Sequence, residues 1–426
     1  MTGRRRPPSS RSFRTITGAV AAGALLLTGC GALPGGSGDS REPVTVVTWA
    51  PSGDAAPEAA NMAGMTAMAQ AYGRWINAAG GIDGHELRVV TCDEQDTPTG
   101  AGNCARRAVK EKAVAVLGSY SRHGRAFMAP LEAAGIPYIG GYGASEEEYR
   151  SYTSYPLTGG QSALLAGTAG QLAHGCDRIS LVRPDTLAGD SQAWLLRTGL
   201  TGAGRPAPLD IPASEEATSY NAEAERALSG AGTDRGCVTS VLGDRTETFF
   251  DSFRRLEPEG TRVRVASVLG SVGQPLIDRT GGRNSPFEGA YVTGWYPAPG
   301  DARWNEMRKV IREHAFRDDR IDPDDTGVQT TWIAYTALRS LVESMHESRI
   351  TAGKVTRALG RGVRVDTGGL TPALRWRYDD MLGSEAYPRI VNSKVTFQVV
   401  REGRLVAERK GFVDVARTLV DASATR

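Results

Sequence analysis

The chain is 426 residues long, with 50 Lys+Arg against 48 Asp+Glu, but five of the arginines and none of the acids lie in residues 1–29. Beyond them the balance is 45 basic to 48 acidic residues, a net charge near −3 that gives no electrostatic support to a nucleic-acid partner or an anionic membrane surface. The roughly 380 residues after position 43 are too many for one hydrophobic core and suit two.

The N-terminus reads as a targeting segment. Arg4, Arg5, Arg6, Arg11 and Arg14 precede a short apolar run at 16–27. Twelve residues at about 1.5 Å each fall short of ~30 Å of hydrocarbon, so a secretory signal is expected rather than a membrane span. Leu27-Thr28-Gly29-Cys30 resembles the lipobox of bacterial lipoproteins, in which the Cys becomes a lipid-bearing N-terminus. That resemblance implies a signal peptide over 1–29, lipidation of Cys30 and a place on the extracytoplasmic face of the cell membrane. An ordinary cleavable signal with an incidental Cys30 is the alternative. Residues 30–43 have linker composition, with a reach of roughly 20 Å as a flexible coil.

From position 44 strands and helices alternate. A strand is expected at 44–49 and a helix at 59–78, whose Met62, Met65, Ala69, Tyr72 and Ile76 fall on one stripe. Then come a strand at 86–92, a helix at 98–112, a strand at 113–117, a helix at 122–134 and a short strand at 136–139. The alternation resumes through 160–174, 178–183, 189–203, 217–230, 237–242, 245–257, 261–267 and 288–293. Helical blocks at 301–315 and 326–347 break it, and a hairpin through Glu402-Gly403 joins 394–400 to 404–409. This rhythm predicts an α/β architecture of parallel sheets in two lobes. Breaks near 151–158, 294–299 and 368–376 are expected to be three hinge crossovers. They put 44–157 and 297–370 in an N-terminal lobe, 158–296 and 371–412 in a C-terminal lobe, and leave 413–426 as a tail.

With Cys30 assigned to lipid, Cys92, Cys104, Cys176 and Cys237 remain, an even number for an oxidising compartment. Cys92 ends a strand and Cys104 lies in the helix after it. Cys176 and Cys237 each lead into an apolar run, and the starts of neighbouring parallel strands share an edge. The pairs 92–104 and 176–237 are therefore expected. Four Cys also suit zinc, but no CxxC spacing occurs and the five His are scattered, so neither a metal nor another cofactor is expected.

Trp75-Ile76-Asn77-Ala78-Ala79-Gly80-Gly81-Ile82-Asp83-Gly84-His85 resembles the Asn-Ala-x-Gly-Gly-Ile-x-Gly segment of type I periplasmic binding proteins, the leucine/branched-chain amino acid receptors of ABC importers. Three further stretches follow in the family's order: Val90 to Asp96 as an acidic strand end, Val114 to Ser121 as a strand with Gly-x-x-Ser, and Ala134 to Ile139 as a Gly-Ile-Pro strand. Gly80-Gly81 after an amphipathic helix also suits a helix C-terminus that needs a left-handed residue.

Ligands of open parallel sheets gather at the carboxyl ends of strands, where helix N-termini point. Gly118-Ser119-Tyr120-Ser121 before a helix offers hydroxyls and free amides to a carboxylate or similar anion, although Ser121 as a cap of its own helix reads equally well. Gly140-Gly141-Tyr142-Gly143-Ala144-Ser145 allows close backbone approach. The resemblance implies that Ala144 and Ser145 bind a carboxylate and an amino group; a flexible loop is the alternative. Glu146-Glu147-Glu148 reads as a solvated helix start. The resemblance puts Glu247 where an acid meets an α-ammonium, with stabilisation of its own helix as the other reading. It also shows departures: Gln161 stands near where family members carry an Asp, and no Tyr is evident near Ala188-Gly189. Tyr120, Tyr142 and Trp295 with Tyr296 are candidate cleft walls, favouring a ligand with an apolar or ring-bearing part, or are interlobe packing.

No Gly-x-Ser-x-Gly, Walker A, His-Glu-x-x-His or complete Gly-x-Gly-x-x-Gly motif occurs, and Ser121 and His123 are two residues apart, so an enzyme is not expected. The resemblance implies a monomeric, lipid-anchored protein that captures a small polar solute, amino-acid-like or related, and delivers it to an ABC permease. A ligand sensor feeding a signalling partner and an extracellular hydrolase are the competing functions.

Overall fold

The computed structural model describes residues 41–52, 62–232, 235–257, 263–268 and 271–424. The expected signal peptide, Cys30, most of the linker and the first residues of the helix expected at 59 lie outside them.

One sheet has the order β2-β1-β3-β4-β5, built from β1 (Arg41–Ala50), β2 (His85–Asp93), β3 (Ala115–Leu117), β4 (Tyr138–Ile139) and β5 (Ser154–Tyr155). All of its pairs are parallel. A parallel sheet is covered on both faces, which is why β1 turns apolar side chains to both. Val44 and Val46 join one core cluster, and Val47 and Trp49 face another. The first face is covered by α1 (Ala63–Ala78), α9 (Asn305–His314) and α10 (Thr326–Met345), the second by α2 (Pro98–Lys110) and α3 (Gly124–Ala134). The expected stripe of α1 is buried at Met65, Ala69, Tyr72 and Ile76, and Trp75 stacks on Trp332 of α10 with ring centroids 5.4 Å apart. After α1, Gly81 takes φ +82° and a Cβ there would lie 2.1 Å from the His85 carbonyl oxygen. The turn therefore requires glycine.

The other sheet runs β12-β11-β10-β9-β8-β6-β7, with β13 (Val413–Asp414) pairing β11. Its members are β6 (Arg178–Pro184), β7 (Leu209–Ala213), β8 (Gly236–Ser240), β9 (Arg264–Val268), β10 (Tyr291–Gly294), β11 (Lys394–Arg401) and β12 (Arg404–Ala407). The β6–β10 pairs are parallel; β11 is antiparallel to both β10 and β12. Glu402 and Gly403 both take positive φ, 52° and 72°, as the tight turn of the expected hairpin demands. One face carries α4 (Gly160–Gly175) and α5 (Leu187–Gly202), the other α6 (Asn221–Ala231) and α7 (Thr246–Leu256). Both expected disulfides form, Cys92–Cys104 and Cys176–Cys237, the second joining the starts of neighbouring strands.

Three differences from expectation have physical causes. β7 was not expected: only Ile211 and Ala213 of its five residues are buried, and Pro212 sits at the sheet edge, where a missing N–H is tolerated. Residues 413–424, expected as a tail, form β13 and α12 (Ala416–Ala424), which buries Leu419 and Ala422 and accepts a 3.1 Å bond from Trp194 Nε1 at the Ala422 carbonyl. The third passage between the sheets comes at 391–393, not 368–376. Before it, Trp376 Nε1 donates to Pro156 O at 3.1 Å and Arg389 Nε to Ser154 O at 3.0 Å, keeping the intervening chain fastened beside β5 until β11 begins at Lys394.

Candidate functional site

At the carboxyl tip of β3 the backbone turns sharply. Gly118 takes φ +48°, and a Cβ there would lie 2.7 Å from Thr331 Cα of α10. Ser119 is fully buried; its Oγ accepts from the Trp49 amide at 3.0 Å and donates to Leu117 O at 3.1 Å, locking this tip to β1. Ser121 is also fully buried. Its hydroxyl donates to Glu94 Oε2 at 3.0 Å and accepts from the His123 amide at 3.1 Å at the entrance to α3. Glu94, just beyond β2, has its pKa raised by burial, an effect that the Ser121 hydrogen bond opposes. The expectation of hydroxyls open to an anion is corrected for both serines: each is committed within the lobe.

The loop after β4 is drawn round Glu148. Ser145 caps a short 3-10 turn, Glu146–Tyr149, with a capping box. Glu148 Oε1 accepts from the Ser145 amide at 3.1 Å and the Ser145 hydroxyl at 3.2 Å, and Oε2 accepts from the Gly143 amide at 3.0 Å. The expected solvated acidic start therefore divides. Glu146 is exposed and pairs with Arg150, whereas Glu148 is buried. Burial pushes the Glu148 carboxyl up to about 7, and the loop amides offset only part of that. Ala144 is half-buried on the same loop.

Tyr142 connects the sheets. Its amide donates to Ser119 O at 2.9 Å, and its ring lies 5.4 Å from that of Tyr120. On the other side it meets Trp295 edge to face at 5.4 Å. Trp295 follows β10 and donates its Nε1 to Gly160 O, 2.9 Å away at the start of α4. The aromatic contact continues to Tyr296, whose hydroxyl sits 3.0 Å from Thr330 Oγ1. Tyr120, Tyr142 and Trp295 are 9 %, 6 % and 1 % exposed, so their rings form a packed wall between strand tips of the two sheets.

The remaining candidates stand apart from this wall. Gln161 is exposed in the first turn of α4. Glu247, in the first turn of α7, accepts from Arg279 Nη2 at 2.9 Å, so its charge is already matched at the surface. A concavity of about 620 Å³ is lined by Asp278, Arg283, Arg401 and Arg404 beside the β11–β12 turn. Because β11 runs antiparallel to β10, that concavity lies at the end of the sheet opposite the strand tips. Among the described residues no group of His, Cys, Asp and Glu is arranged to hold a metal ion. None of the described helices is long and apolar enough to cross a membrane.

Sequence reasoning missed Glu94, Glu148 and Tyr149. The Ser145-x-x-Glu148 spacing was a usable signal for a capping box. Tyr149 has none: its hydroxyl is packed where a Cβ on Gly143 or Gly160 would fall, at 2.0 and 2.3 Å.

The profile of a periplasmic binding protein family matches residues 47–391. Among curated proteins none matches the chain. Several solved structures share its fold. A solute-binding protein of an ABC transporter from R. palustris, in complex with 4-hydroxybenzoate, is 14 % identical with a TM-score of 0.68, covering 88 % of this chain and 97 % of its own. A branched chain amino acid ABC transporter protein from Thermus thermophilus with bound valine is 16 % identical with a TM-score of 0.68, covering 89 % and 98 %. A fatty acid ABC transporter substrate-binding protein from Thermomonospora curvata is 12 % identical with a TM-score of 0.65, covering 89 % and 95 %. With four-fifths of its length matched, the chain belongs to the periplasmic binding protein family.

Proposed function

We propose that this chain is a lipid-anchored, extracytoplasmic solute-binding protein that takes a small solute between its two lobes and passes it to an ABC permease. The contact between Tyr142 and Trp295 carries the reading, since it brings the carboxyl tip of β4 in one sheet against that of β10 in the other. A solute gripped there touches both lobes at once, so its binding energy favours the closed arrangement over the open one, and the permease reads that difference. The aromatic wall of Tyr120, Tyr142 and Trp295 favours a solute with an apolar or ring-bearing part, while the loop at 140–145, with Ala144 and Ser145, contributes backbone polarity. The chain acts by binding and release.

Thermal-shift screening tests the solute class, using valine, 4-hydroxybenzoate, a fatty acid, amides and sugars as probes. A true ligand at 100 times its Kd stabilises by ~2.7 kcal/mol. Replacing Tyr142 by Ala should abolish that shift, and a shift that survives unchanged refutes the site. Uptake of the identified solute by cells lacking the gene tests transport, and unchanged uptake refutes it. Mass spectrometry of the mature N-terminus tests the anchor: an unmodified Cys30, or cleavage elsewhere, removes it.

A further inference from the structure

Three consecutive amides of the loop after β4 converge on a carboxylate that belongs to the chain itself. Gly143 N–H and Ser145 N–H donate to the two oxygens of Glu148 at 3.0 and 3.1 Å, the Ala144 amide donates to the same group, and the Ser145 hydroxyl adds a fourth bond at 3.2 Å. The loop is shaped round this anion. At Gly141 a Cβ would lie 2.0 Å from Glu148 Oε2, and Gly143 takes φ +84°, a conformation that L side chains rarely adopt. Glu148 itself is 2 % exposed.

Successive amides gathered in this way form an anion-binding nest, and hydrogen bonds to a carboxylate are among the stronger ones a loop makes. In this chain the nest is already full. A solute carboxylate brought to residues 143–145 would find the amides there already bonded to Glu148 and, at a pH above about 7 where that carboxyl is ionised, would also meet like charge in a buried setting, where it is least screened.

Resting on the reading of 140–145 as the ligand loop, we propose that Glu148 is the positioning and specificity-determining residue of this site, occupying the 143–145 nest so that the loop accepts neutral groups of a solute and rejects carboxylates. The substrate class is then an uncharged, ring-bearing or apolar solute, or one whose carboxylate points away from this loop. Plain α-amino acids that present their carboxylate here are excluded. The uncharged Gln161 and the Arg279-paired Glu247 agree with that class, since neither leaves an unmatched acid for an ammonium group.

The test is chemical rescue at pH 8, in matched ionic strength. In Glu148→Ala the vacated nest should bind acetate: 50 mM sodium acetate should raise the melting temperature by several degrees, whereas acetamide and sodium chloride should not. Acetate should leave the wild-type protein where sodium chloride leaves it. If Glu148→Ala folds poorly, its refolding yield replaces the melting temperature, with the same acetate-over-acetamide preference expected. Acetate and acetamide acting alike on the variant would overturn the proposal, as would acetate stabilising the wild type equally well. Glu148→Gln gives the specificity readout, which a purely structural residue would not move. The preference of the wild type for 4-hydroxybenzamide over 4-hydroxybenzoate should fall about tenfold in that variant, and an unchanged ratio contradicts the proposal. The acetate arm reads the nest alone, so it can fail while the solute screen on the wild type succeeds, and the reverse.

Discussion

The hydroxyl of Ser121 lies 3.0 Å from Glu94 Oε2, with both side chains fully buried and 27 residues apart in the chain. That pair changes what a mutation at Ser121 reports. An acid out of water needs its donors, and removing one leaves a desolvated oxygen with no partner.

Replacing Ser121 by Ala should therefore cost stability, by about 1–3 kcal/mol. Urea unfolding measures it as a lower midpoint with an unchanged slope. A midpoint equal to the wild type's would show that Glu94 has found another donor or is protonated throughout.

Stability should fall as pH rises from 4.5 to above 7. Burial lifts the Glu148 carboxyl from its ordinary 4.5 to about 7 in the folded protein, so folding favours its protonated form. The resulting stabilisation is complete below the ordinary carboxylate range and is lost as pH climbs through about 7, a difference of roughly 3 kcal/mol. Glu94, also raised by burial, adds in the same direction. Asp301 and Asp318, held low by Arg303 and Arg320, act oppositely, losing their contribution as pH drops below the ordinary aspartate range. Urea melts at pH 5 and pH 8 should show the drop, and Glu148→Gln should flatten most of it.

The two disulfides should differ in worth. Cys176–Cys237 spans 61 residues and Cys92–Cys104 spans 12. Loop-closure entropy gives about 4 kcal/mol for the longer and about 3 for the shorter. Double Ala replacement of each pair, compared by urea unfolding, should rank them in that order; the reverse order would show that local strain outweighs chain entropy here.

Changing Trp295 to Phe keeps the ring beside Tyr142 but removes the 2.9 Å bond to Gly160 O. A loss of about 1 kcal/mol is expected. Hydrogen exchange should rise at the start of α4 before it rises elsewhere, and protection left unchanged there would mean that the indole N–H does not hold this end of the helix.

The strand-and-helix rhythm was legible because a parallel strand covered on both faces is rich in apolar residues on each, as Val44, Val46, Val47, Trp49 and Ala50 show, while a helix such as α1 repeats its large apolar residues at helical spacing. β7 escaped notice because an edge strand buries only alternate positions and tolerates Pro212. The Gly80-Gly81 turn and the two disulfides could be read from local geometry. The environment of the site could not. Ser121 meets Glu94, and Tyr142 meets Trp295, across separations that no spacing encodes. Ser145 reads as a ligand hydroxyl because its spacing to Glu148, although that of a capping box, does not say that the acid turns inward. The capping-box spacing allowed that outcome, and the inward-facing Gly141 and Gly143 make room for it.

β1 enters the fold at Arg41 and runs between β2 and β3, hydrogen-bonded to both. Tension arriving from residues upstream would load the ladders on its two flanks together, in shear along the strand direction, instead of peeling off one bond at a time. A binding domain held at that point should resist mechanical extraction better than one whose first strand lay at the margin of its sheet.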